Sequence, residues 1–273
     1  MPEPCYIPSK MLIHCADVMQ TDQNATAFGI HAKFESIDRQ FIVQPAFEKV
    51  YADAAMIKRG YRQSENVEVL KGHGRFTGPR ILAAEGFDEE LTAETILIAA
   101  GTLPWLPDIP GLDQSPYLTF DEALGLPEQP KRLSVIGGGY IAAQSPHFFG
   151  ALGTEVNIIH RRGQMRREED NDVARRFTKV YQRRHNMILD AQVKRVPAQG
   201  EEITVEVTTP DGKRPIPSDA LLMAAGRVPN TDILEVAHTS VALNQRGYIN
   251  TDKYLQASVP GIWARAILWG PTC

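Results

Sequence analysis

The chain has 273 residues, 43% of them hydrophobic and 23% charged, with a net charge of -4; this size predicts two domains or one large one of ordinary globular make-up. The charge balance gives no footing for nucleic acid as the main partner. No apolar run reaches the length of a membrane span, and the N-terminus lacks the basic start and apolar stretch of a signal peptide. Cys5, Cys15 and Cys273 are widely spaced and odd in number, which argues against a disulfide framework and metal-ligand spacing and makes the cytoplasm the expected compartment.

In chain order, residues 8–20 read as a helix, with Pro8 in its first turn and Leu12, Ala16 and Met19 as an apolar stripe. Residues 45–60 form a second, with Phe47, Val50, Ala54 and Ile57 on one face and Gly60 as its end. A strand is expected over Val67–Leu70, and paired strands over 80–84 and 91–99 around a turn at Gly86. Thr95–Ala99 is wholly apolar, as a strand covered on both faces is, and it stops at Gly101. Pro104, Pro107, Pro110, Pro127 and Pro130 mark a crossover between domains.

From Arg132 the pattern becomes strand (132–137), helix (139–150), strand (155–160) and helix (168–185), the last facing inward through Val173, Phe177, Val180 and Tyr181. Pro146 removes one hydrogen bond from the first of these helices and is expected to kink it, at a cost of about 3 kcal/mol. Asp211-Gly212 predicts a hairpin turn. Leu221–Gly226 then repeats the design of residues 96–101, an apolar strand ending in glycine, which suggests two related nucleotide-binding halves. The expected fold class is therefore α/β, with two Rossmann-like domains.

The chemistry centres on Val135–Ala142. Gly137 permits the tight turn off a strand, Gly139 lets backbone approach a pyrophosphate, and Ala142 is the small residue where helix and strand pack. Tyr140 and Ile141 open a helix whose free N–H groups and positive dipole end suit an anion. The flanking strand, helix and second strand raise this above a bare glycine pattern. At the end of the second strand, where NAD enzymes often carry a carboxylate, stand His160, Arg161 and Arg162, followed by Arg166. These cations suit a 2′-phosphate and favour NADP(H) over NAD; the alternative is a solvated basic loop.

Several segments, in order, resemble the class I pyridine nucleotide–disulfide oxidoreductases, in wording nearest to the mycothione reductase and dihydrolipoamide dehydrogenase branches. They are Ile7–Lys10, Gly72–Phe76, Ile98–Thr102, Ile136–Ala142, Gly226–Asn230 and Ser258–Ala264. The resemblance covers nearly the whole chain. It implies an FAD-type domain (1–118 and 231–273, incomplete), an NAD(P)-binding domain (119–230) and hydride transfer from NADPH to FAD. It further implies that Tyr140 lies over the nicotinamide access to the flavin, that Lys10 lies near the flavin ring, and that His73 and Gly74 offer backbone to the FAD adenine. Ala100, Gly101, Gly226 and Arg227 fall in its cofactor-binding motifs.

The sequence also departs from the family. The glycine-rich loop that holds the FAD pyrophosphate has no counterpart before residue 5. Anchored on Pro8, the redox cysteine positions fall on Met1 and Tyr6, and a phenol cannot replace a thiolate. Cys5 is one place off and reads as a terminal thiol. Arg265-Ala266-Ile267 stands where a glycine–aspartate pair is expected to hold FAD, Gln144 replaces the glutamate that pairs with Lys10, and the family's homodimer domain with its histidine–glutamate pair is missing. The expected function is an FAD- and NADP(H)-linked oxidoreductase with the disulfide step lost and FAD binding in question. The alternatives are a non-catalytic NADP(H)-binding module or a chain that hardly folds alone.

Overall fold

The computed structural model describes residues 6–199 and 202–265. Two helices lead, α1 (Tyr6–Asn24) and α2 (Arg39–Gln63), followed by five short strands: β1 (Gly74–Gly78), β2 (Ile81–Ala84), β3 (Leu91–Thr92), β4 (Ile96–Ile98) and β5 (Thr102–Pro104). Next come β6 (Tyr117–Leu118), α3 (Phe120–Leu124), β7 (Arg132–Gly137), α4 (Tyr140–Ala151), β8 (Glu155–Ile159), α5 (Asn171–Tyr181) and β9 (Asn186–Ile188). The chain continues through β10 (Gln192–Arg195), β11 (Ala198–Gln199), β12 (Glu202–Thr209), β13 (Gly212–Ser218), β14 (Ala220–Ala224), β15 (Arg227–Pro229) and β16 (Ile262–Ala264). No helix among the described residues is long and apolar enough to cross a membrane.

The chain divides into two compact units, Met1–Ile57 with Leu106–Gly226, and Lys58–Trp105 with Arg227–Cys273. The first is built on a five-stranded, wholly parallel sheet in the order β6-β14-β7-β8-β9. Side chains alternate across it, as the strand period of two requires. Leu133 and Val135 of β7, Val156 and Ile158 of β8, and Leu222 of β14 enter one apolar cluster with Ala142, Phe148 and Phe149 of α4 and Leu12 and Ala16 of α1. Ile136, Ile159, Leu221 and Met223 face the other way, into a cluster with Ile203, Val205, Val207 and Ile216 of the antiparallel β12–β13 hairpin. Both faces are thus covered, which explains the near-continuous apolar reading of β7, β8 and β14.

The second unit has smaller pieces: the antiparallel β1-β2-β3, the antiparallel pair β15-β5 and the parallel pair β16-β4. Phe76, Ile96, Ile98, Val236, Ile249 and Ile262 form its core. The strand-then-glycine echo is present in backbone form: Gly101 after β4 and Gly226 after β14 have φ of 71° and 156°.

Four expectations change. The first unit takes in α1, whose Leu12 and Ala16 are fully buried in its core, and most of α2; the boundaries at 118/119 and 230/231 do not follow this division. Val67–Leu70 forms no strand and Val67 and Val69 are exposed. Helix α2 runs through Gly60 to Gln63, and Ile57 is exposed. Helix α5 is shorter than 168–185, and its buried residues are Ala174, Thr178 and Tyr181, with Val173 exposed. Helix α4 continues across Pro146 to Ala151.

Candidate dinucleotide site

Strand β7 ends at Gly137, whose φ is 152°. A Cβ there would lie 2.1 Å from the Ala224 carbonyl oxygen of the neighbouring β14, so both conformation and space demand glycine. At Gly138 a Cβ would meet the His160 ring at 2.4 Å. Gly139 is different. It is the N-cap of α4, at φ -88° and ψ -160° with no side-chain cap, and a Cβ there would touch nothing within 4 Å. The turn is therefore closed on its sheet side and open at the helix end, where the first-turn N–H groups have no intrahelical acceptor. Ile141 is partly buried and Ala142 fully buried, its methyl group packed in the core beneath the turn.

His160 follows β8. Its backbone N–H donates to the Ile188 carbonyl at 2.9 Å. Burial, then the nearby Arg161 and Arg162, push its imidazole below the usual histidine range, so near neutrality the ring is an uncharged cover for Gly138. Positive charge at the strand end comes instead from Arg161 and Arg162, both exposed. More broadly, residues 161–195 hold 11 of the 29 Lys and Arg but 5 of the 33 Asp and Glu, and every one of those cations except Arg166 is exposed.

Arg166 is 5% exposed and sits in the left-handed region at φ 57°. Its backbone N–H donates to the Gly138 carbonyl at 2.9 Å. Its guanidinium carbon lies 3.1 Å from the Tyr140 ring centroid, and Nη2 donates to Glu169 Oε1 at 2.5 Å. The Tyr140 hydroxyl donates to the same Oε1 at 2.7 Å. Sequence reasoning grouped Arg166 with the open basic loop and passed over Glu169; the signal that could have found the pair is the three-residue spacing between a cation and a carboxylate.

The remaining cofactor candidates are placed as follows. Lys10 is exposed on α1. In the second unit, the Ala100 carbonyl accepts from Asn230 Nδ2 at 2.8 Å, and Arg227 donates through Nε and Nη2 to the Thr102 hydroxyl and carbonyl, both at 2.5 Å. His73 is exposed with Nε2 3.3 Å from the Ile233 carbonyl, and Gly74 opens β1. Among the described residues of this unit no strand runs through a glycine turn into a helix. Tyr6 lies in α1, but its side chain, Cys5 and Cys273 are outside the described residues. Cys15 is a free thiol that burial pushes above the usual range. No cluster of metal-ligating side chains occurs among the described residues.

The family profile described as pyridine nucleotide-disulphide oxidoreductase matches residues 7–265. The chain belongs to this family. Its relatives include mycothione reductase of Mycobacterium tuberculosis, 30% identical over 94% of this chain and 56% of that one, and dihydrolipoyl dehydrogenase of Haemophilus influenzae, 33% identical over 94% and 54%. Among solved structures, the HOCl-induced flavoprotein disulfide reductase RclA from Escherichia coli superposes with a TM-score of 0.79 at 27% identity, over 97% of this chain and 57% of that one. The chain thus spans about half the length of the curated pyridine nucleotide-disulphide oxidoreductases it matches.

Proposed function

We propose that the first unit binds NADP(H) at the Gly137–Ala142 turn and serves an NADPH-linked oxidoreductase of the flavoprotein disulfide reductase type, working in the cytoplasm. The carrying observation is the open space at Gly139 above the N-terminus of α4, beside a Gly137 that admits no side chain. A pyrophosphate against that helix end would meet free N–H groups and the positive end of the helix dipole. The exposed Arg161 and Arg162 are the groups for a 2′-phosphate, with His160 as an uncharged wall. A bound flavin would accept the hydride of NADPH, and Gly137–Ala142 with Arg161 and Arg162 would hold the nucleotide that donates it.

A second reading is a nucleotide-binding module without disulfide turnover. It is favoured by Tyr6 at the redox cysteine position and by Cys15, a thiol whose raised pKa makes it a poor nucleophile near neutrality. Calorimetry with NADPH and NADH tests the binding claim. NADPH is expected to bind more tightly, and changing Arg161 and Arg162 to Ala should remove the preference. Failure of both nucleotides to bind overturns the proposal. NADPH oxidation by a quinone acceptor, measured with added FAD, then separates an active oxidoreductase from a binding module.

A further inference from the structure

Arg166, Glu169 and Tyr140 form a closed cluster at the mouth of the glycine turn. The backbone of Arg166 is bonded to Gly138, inside the turn, while its side chain is almost wholly buried. One carboxylate oxygen of Glu169 accepts from both the Arg166 guanidinium and the Tyr140 hydroxyl. Glu168 lies near the same guanidinium, 3.7 Å from Nη1, but its side chain is 65% exposed. Tyr140, the first residue of α4, lays its ring against Arg166 on one side and is 64% exposed overall. A ring that exposed has no packing to fix it, so the two polar partners set its position.

A carboxylate and a phosphate are both oxyanions for a guanidinium, and they compete for its N–H groups. We propose that Glu169 is an internal stand-in for a nucleotide phosphate. It occupies Arg166 and latches Tyr140 across the turn, and a bound phosphate displaces it and frees the tyrosine ring. This rests on the reading of the turn as a dinucleotide site. It makes Glu169 a positioning residue that weakens nucleotide binding in the free protein and couples phosphate arrival to movement of the group at the head of α4.

The electrostatics run the same way. The hydrogen bonds from Tyr140 and then Arg166 hold the Glu169 carboxyl below its usual range, and the bond to Glu169 raises the Tyr140 phenol. Replacing Glu169 by Gln removes the negative charge and keeps the shape.

The test measures Glu169→Gln against the unaltered chain with two probes, 2′,5′-ADP and ADP. The variant should bind at least one about tenfold more tightly, the scale of a released charge-assisted hydrogen bond. A gain for 2′,5′-ADP alone identifies the displacing group as a 2′-phosphate, a gain for ADP alone identifies the outer phosphate of the pyrophosphate, and a gain for both identifies the 5′-phosphate that the two probes share. Unchanged or weaker binding of both overturns the latch. A second readout needs no nucleotide. Ultraviolet difference titration against Tyr140→Phe isolates the Tyr140 phenol, which should ionise at lower pH in Glu169→Gln; an unmoved titration overturns the latch. If neither probe binds either protein, the dinucleotide reading fails, and the titration alone decides whether Glu169 holds Tyr140.

Discussion

A methyl group added at Gly137 would sit 2.1 Å from the Ala224 carbonyl oxygen, whereas one added at Gly139 would touch nothing within 4 Å. Gly137→Ala should therefore cost about 2–4 kcal/mol, since it combines a positive φ with a backbone clash. Gly139→Ala should stay within about 1 kcal/mol of the parent, yet its methyl group should weaken NADPH binding. Urea denaturation and calorimetry on the same two variants check this split. The spacing of the glycines is plain in the sequence, but their division of labour is not. It depends on the Ala224 carbonyl, which only the sheet brings alongside. His185 is a second case. Burial, then Arg184 and His147, push its imidazole down from 6.5 to about 4. Between those values the unfolded chain takes up a proton that the folded chain refuses. The stability is full above about pH 6.5 and falls as the pH drops toward 4, by on the order of 1–3 kcal/mol. Melting temperatures near neutrality and near pH 5 should show the loss, and His185→Asn should flatten it.

Helix α5 shows how far a periodic reading goes. The apolar period assigns Val173, Phe177, Val180 and Tyr181 to the core, but the helix is turned so that Ala174 and Thr178 are buried. Thr178 is hidden because its hydroxyl is satisfied twice, accepting from the Met165 N–H at 3.0 Å and donating to the Ala174 carbonyl at 2.8 Å. Hydropathy alone cannot anticipate a polar residue made cheap to bury by its partners. Phe177 keeps its place through a stacked contact with Tyr181, ring centroids 4.2 Å apart. Val67–Leu70 alternates like a strand but pairs with no neighbour among the described residues, and a strand exists through its pairing. Helix α1 supplies the element-scale prediction. Leu12 is fully buried with Phe148 and Phe149, so Leu12→Ala should destabilise the first unit by about 2–5 kcal/mol. Val173→Ser, at an exposed site, should stay within about 0.5 kcal/mol. Chemical denaturation compares the two, and equal effects would contradict the burial pattern.

At the scale of the molecule, the strand–helix–strand order from Arg132 onward was legible, because each element carries its own pattern and glycine punctuation. The composition of the units was not, since it depends on which distant faces meet. Strand β14 slots between β6 and β7 only after the chain has travelled through the β12–β13 hairpin, and α1 joins the first unit from the far end of the sequence. The two units have separate cores, and the second contains Trp105 and Trp263, while the first contains no tryptophan. Helices α1, α3, α4 and α5 all fall in the first. The second unit, with its two- and three-stranded sheets, should unfold first. Tryptophan fluorescence should then change at lower denaturant than the far-ultraviolet helix signal; coincident curves would instead mean one cooperative block.

The crowding of 11 cations, all but Arg166 exposed, against 5 acids into residues 161–195 of a chain whose net charge is -4 leaves that stretch of the first unit with an excess of positive charge. Such an excess draws small polyanions toward the stretch faster than random collision would, and dissolved salt erases the advantage as the screening distance shrinks to about 8 Å at physiological strength. Capture of NADPH, followed by stopped flow, should therefore slow steeply as sodium chloride is raised, while the release rate changes little. A capture rate indifferent to salt would mean that these arginines and lysines merely keep the protein dissolved.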